Sequence, residues 1–171
     1  MKRVAIAGLL ALLSQGVHAD EIDDLTAAED KMYEAWDKVP LTDRKVIFTK
    51  ESAAGYGVYE ERANASFKGG EPIVTYIEPV GYAWKELPGD MYEINFVCDL
   101  KLKDANGQVL MEKAAFANTS IKSHNANTEA FIDLTLTVNG LPAGKYAVDY
   151  IVHDPNGGED MTVTQNFDYT P

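Results

Sequence analysis

Between Tyr92 and Leu102, the apolar residues Tyr92, Ile94, Phe96, Cys98, Leu100 and Leu102 are interleaved with Glu93, Asn95, Asp99 and Lys101. A period of two puts the first set on one face of an extended strand and the polar set on the other, whereas a helix would scatter both around its axis. The alternation returns in Ile132, Leu134, Leu136 and Val138, in Tyr146, Val148, Tyr150 and Val152, and in Met161, Val163, Phe167 and Tyr169. Strands apolar on one face must bury that face against another sheet. The predicted fold class is therefore all-β, an antiparallel β-sandwich of about seven strands.

Turn chemistry marks where the strands end. Lys68-Gly69-Gly70-Glu71-Pro72, Asp104-Ala105-Asn106-Gly107, Leu141-Pro142-Ala143-Gly144-Lys145 and Asp154-Pro155-Asn156-Gly157-Gly158 supply the residues that accept positive φ or fix a bend. Between them, Val46–Phe48, Tyr56–Phe67, Ile73–Glu78 and a short run at Gln108–Glu112 are predicted as further strands.

The N-terminus reads differently. Lys2 and Arg3 precede an apolar run from Val4 to Leu13 and a small-residue exit at Val17-His18-Ala19, the pattern of a secretory signal peptide over residues 1–19. Its brevity is bacterial in character and predicts a periplasmic or secreted protein. Residues 20–40 place Ile22, Leu25, Ala28, Met32, Ala35, Trp36 and Val39 at helical spacing among acidic residues, and Pro40 stops them. This is an amphipathic N-terminal helix, either docked through Met32 and Trp36 or extended toward a partner. The β domain is predicted over residues 41–171.

Fifteen basic and 27 acidic residues give a net charge of −12, and loss of Lys2 and Arg3 with the leader makes it two units more negative. Such a surface repels phosphate, so nucleic acid is excluded as a partner. No later apolar run approaches the length of a membrane span, so no membrane insertion is expected once the leader is gone. Cys98 is the single cysteine, which rules out an intrachain disulfide and leaves stability to packing.

Phe67-Lys68-Gly69-Gly70-Glu71-Pro72-Ile73, Leu102 through Val109, Leu141 through Tyr146 and Gln165-Asn166-Phe167 together resemble bacterial immunoglobulin-like β-sandwich modules, the macroglobulin-type domain in particular. The resemblance runs from Tyr56 to Tyr169. It implies an immunoglobulin-like fold and a non-catalytic binding or spacer unit. Large macroglobulins carry a reactive Cys-Gly-Glu-Gln thioester, whereas Cys98 lies in Val97-Cys98-Asp99-Leu100, so protease trapping is not implied. Tyr146 resembles the tyrosine-corner position of immunoglobulin domains, with Val148 where antibody domains have a disulfide cysteine.

Three groups of residues are candidates for function. Tyr76, Tyr82, Trp84 and Tyr92 surround Pro- and Gly-rich turns and are the predicted ligand-binding set, suited to stacking on sugar or peptide. Asp154, Asn156, Glu159 and Asp160 put several hard oxygen donors in one Gly-rich turn, and calcium is the metal such a set would take. Cys98 with His153 and Asp154 would be a nucleophile, base and orienter, but its place on an apolar strand face argues for a packed thiol. No nucleophile elbow, zinc-protease helix or phosphate loop is present, so no catalytic residue is assigned. The sequence therefore predicts an exported, non-enzymatic binding or accessory module with a protein or carbohydrate partner. A calcium-binding structural module, or an enzyme whose carboxylates meet only in three dimensions, is the alternative.

Overall fold

The computed structural model describes residues 17–171. The first sixteen residues of the predicted signal peptide lie outside the described residues. Helix α1 (Val17–Trp36) ends before Pro40, and the residues from Val39 to Pro171 form a compact unit of their own. Among the described residues no helix is long and apolar enough to cross a membrane.

The β unit is built from β1 (Thr42–Thr49), β2 (Ser66–Lys68), β3 (Pro72–Val80), β4 (Lys85–Leu87), β5 (Met91–Asp104), β6 (Val109–Ser123), β7 (Ile132–Thr137), β8 (Gly144–Asp154) and β9 (Glu159–Thr170). One sheet has the order β1-β3-β7 and is antiparallel. The other runs β2-β9-β8-β5, with β4 pairing the start of β5 and β6 pairing most of its length. Within it only β2 lies parallel to its neighbour, β9.

The alternation seen in the sequence decides which side is buried. Ile94, Phe96, Cys98, Leu100 and Leu102 of β5, Val148, Tyr150 and Val152 of β8, and Val163, Phe167 and Tyr169 of β9 are buried, as are Ile132, Leu134 and Leu136 of β7. Gln165 interrupts the apolar row of β9 and is satisfied from the facing sheet, where the Thr75 hydroxyl of β3 donates to its Oε1 at 2.6 Å. A buried amide needs such a partner, and this one ties the two sheets together.

Two expectations are corrected. Residues 56–65 do not form a continuous strand: only Ser66–Lys68 becomes one, as β2, while Glu61 makes an isolated antiparallel bridge to Thr49 of β1. Gly57 at φ 69° and a Gly55–Val58 bridge close a tight turn there. The loop folds over the outer face of β3, so Val74, Tyr76 and Glu78 are buried as well as Ile73, Thr75 and Ile77. The predicted short strand at Gln108–Glu112 is in fact the first part of β6, which continues to Ser123.

Candidate functional site

The two turn-borne groups singled out in the sequence meet at one end of the β unit. The 81–84 connection brings the Ala83 N–H to Asp154 Oδ2 at 2.8 Å, and Asp154 Oδ1 accepts the Asn156 N–H at 2.9 Å. Asn156 Nδ2 in turn donates to the Glu93 carbonyl at 2.9 Å. Tyr82 Oη and Trp84 Nε1 both donate to the Asn127 carbonyl, at 2.9 and 2.8 Å. Glu159 Oε2 accepts the Leu41 N–H at 2.6 Å.

These bonds set where the predicted residues sit. Tyr82 is buried, its phenol pushed up by burial, and its ring meets Phe96 edge-on. Tyr76 sits elsewhere, on the covered face of β3. It accepts the Gly57 N–H at 2.8 Å and donates to Glu78 Oε1 at 3.0 Å, with the rings of Tyr59 and Phe131 against it. Trp84 and Tyr92 are half-buried. Asp154, only 2% exposed, spends its oxygens on backbone amides, and Asp160 turns to His153. Among the described residues no three His, Cys, Asp or Glu side chains converge as a metal-holding group.

His153 takes a different place from the one its sequence neighbours suggest. Cys98 pairs with Val152 and faces the core, where burial first and the nearby Asp99 charge second push its thiol up to about 12. His153, one residue further along β8, points to the opposite face, so it is not a base for Cys98. Its Nδ1 lies 2.6 Å from Asp160 Oδ1 on β9, and its Nε2 lies 3.1 Å from Asp99 Oδ2 on β5. The Asp160 hydrogen bond is the main cause that raises the imidazole above its usual value, with Asp99 adding to it against desolvation. Asp99 also accepts the Ala115 N–H at 2.7 Å, and that bond, together with His153, holds its carboxyl below the usual range.

Ala115 belongs to β6, the element that sequence reasoning reached only in part. Its φ of 46° and the shift of register between Cys98 and Leu100 mark a bulge opposite Asp99. Among the described residues β6 pairs on one side only, with β5. Its first part exposes Val109 (45%), Leu110 (45%) and Met111 (38%) in succession. Ala117, Thr119 and Ile121 alternating with Asn118, Ser120 and Lys122 were the available signal for its second half.

A shallow trough of about 470 Å³ lies over Ala147 on the solvent face of the larger sheet. Its two lysines are already matched, Lys103 by Asp149 at 2.6 Å and Lys145 by Asp168 at 3.2 Å, so they present little uncompensated charge to a ligand. No protein-family model matches this chain, and no curated protein matches it either.

Proposed function

We infer that this chain is an exported, non-enzymatic binding or accessory module of immunoglobulin-like architecture, and that it engages an extended polypeptide segment along β6. The observation that carries the reading is the edge of β6 itself. A strand fifteen residues long, paired on one side, offers a row of backbone N–H and C=O groups that only another extended backbone can match in register. The exposed Val109, Leu110 and Met111 add apolar contacts to that row.

The immunoglobulin-like part of the proposal draws support from topology. The orders β1-β3-β7 and β9-β8-β5-β6 correspond to the A-B-E and G-F-C-C′ strands of such domains. Tyr146 stands near the start of β8, and its hydroxyl donates to the Pro142 carbonyl at 2.8 Å, the bond a tyrosine corner makes. The macroglobulin-type resemblance and the periplasmic or secreted location belong to the same proposal. They rest on the turn motifs and on the leader-like N-terminus.

Selection of displayed peptides on the folded chain tests the binding surface. Bound peptides are expected to shift the amide resonances of residues 109–113. The pair Leu110→Lys with Met111→Lys should weaken binding about tenfold or more while leaving the melting temperature unchanged, since charge on an exposed edge opposes strand addition. Peptides that bind equally well to this variant, or that shift only resonances around Trp84 and Tyr92, overturn the assignment to β6.

A further inference from the structure

We propose that Asn139 is a self-modification site: the Gly140 backbone nitrogen closes on the Asn139 carboxamide, and the folded chain converts this residue to aspartate and isoaspartate ahead of its other Asn-Gly steps. The sequence offers three such steps, Asn106-Gly107, Asn139-Gly140 and Asn156-Gly157. In each, the glycine has no Cβ to obstruct the approach of its nitrogen to the carboxamide before it. The dipeptides are alike, so the fold alone sets them apart. At the reacting step the Gly140 nitrogen gives up its proton and bonds to Cγ of Asn139. The Cγ–Nδ2 bond breaks, and Nδ2 leaves with that proton as ammonia. Water, the sole co-reactant, then opens the cyclic imide. Its attack at Cγ gives aspartate, and its attack at the main-chain carbonyl gives isoaspartate, with the backbone rerouted through the side chain.

The fold ties down the other two steps in different ways. Asn156 is half-buried, and its Nδ2 donates to the Glu93 carbonyl at 2.9 Å and reaches the Ala83 carbonyl at 3.4 Å. Gly157 is packed so closely against Asp154 that an added Cβ would lie 2.7 Å from its Oδ2. Ring closure there must break the carboxamide's bond and displace packed neighbours. At Asn106 the side chain is exposed, but the attacking nitrogen is engaged. The Gly107 N–H donates to the Asp104 carbonyl at 3.0 Å, and the Asn106 N–H donates to Asp104 Oδ1 at 2.8 Å. An N–H held by a carbonyl is aimed away from the carboxamide and releases its proton less readily.

Asn139 and Gly140 escape both restraints. They are exposed in the connection between β7 and β8, and Gly140 has φ 76°. Among the described residues, neither the Asn139 carboxamide nor the Gly140 N–H makes a hydrogen bond. Asn139 Oδ1 rests over the bare Cα of Gly70, 3.2 Å from where a Cβ would stand there, while the Gly70 N–H is committed to the Val138 carbonyl at 3.0 Å. The carboxamide can therefore swing onto its own backbone without breaking a bond.

The test is to incubate the folded full chain in mildly alkaline buffer and follow its peptides by mass spectrometry, with the aspartate and isoaspartate products separated by chromatography. The Asn139 peptide should lose its amide first. The Asn156 peptide should react about tenfold more slowly or less, the ratio that one modest hydrogen bond carries, with the Asn106 peptide between them. In the chain unfolded by urea the rates should converge, because the restraints rather than the dipeptides set the order. Asn139→Gln should remove the first event and leave the other two steps unchanged. An Asn156 that keeps pace with Asn139 in the folded chain, or a spread of rates that survives unfolding, overturns the assignment. Peptide binding along β6 plays no part in these rates, so failure of that reading would leave the order untouched.

Discussion

Asp154 is the residue on which the loop end depends. A carboxylate almost wholly out of water, accepting N–H bonds from Ala83 and Asn156, leaves two half-buried donors unsatisfied when it is removed. Asp154→Ala should therefore lower stability by roughly 2–4 kcal/mol in denaturant titrations, and added calcium should leave the melting of the unmodified chain unchanged. A melting temperature that rises with calcium would support the metal role first suggested by this turn. The sequence displayed the oxygen-rich composition of Asp154, Asn156, Glu159 and Asp160 plainly. It did not display where each oxygen points, because Asp154 is turned inward by an amide 71 residues away. The same limit applies to Tyr82, whose burial depends on a carbonyl 45 residues further along the chain.

Strands that bury one full face announced themselves. β5, β7, β8 and β9 were legible because the core selects an apolar residue at every second position. β6 was not, since an edge strand meets its neighbours on one side only and its bulge at Ala115 breaks the period in mid-strand. Residues 56–65 erred the other way, for they loop over β3 with the Tyr59 ring against Tyr76 and pair with β1 only at an isolated bridge from Glu61 to Thr49. The end of β3 carries a sharper constraint. Gly81 has φ 77°, and a Cβ there would run into the carbonyl oxygens of Val39 and Pro40. Gly81→Ala should cost roughly 2–4 kcal/mol through strain and steric conflict combined, measured as a lowered urea midpoint with an unchanged slope. A variant as stable as the parent would mean that the 39–40 segment can move aside freely.

For the molecule as a whole, pH dependence sums opposing contributions. His153 is raised above 6.5, so its stabilisation is complete below that value and is lost as pH climbs through its folded pKa. Asp99 and Glu71 are lowered from 3.8 and 4.5, Glu71 chiefly by the Lys68 N–H and then by Arg62, so their contributions are present above those values and are lost on acidification. Stability should be greatest in the mildly acidic range. The urea midpoint should be higher at about pH 5.5 than at about pH 8.5, and His153→Gln should flatten the difference. An unaltered difference in that variant would assign the slope to overall charge. One further consequence follows from β9, which lies between β8 and the parallel strand β2 and holds Gln165 beneath Thr75. β9 follows the other eight described strands along the chain, and without it the Thr75 hydroxyl of the β1-β3-β7 sheet loses its partner opposite and β2 loses the strand it pairs with. The join between the two sheets at Thr75 and the anchoring of β2 therefore both wait on the twelve residues of β9, through contacts of long sequence separation that are slow to form.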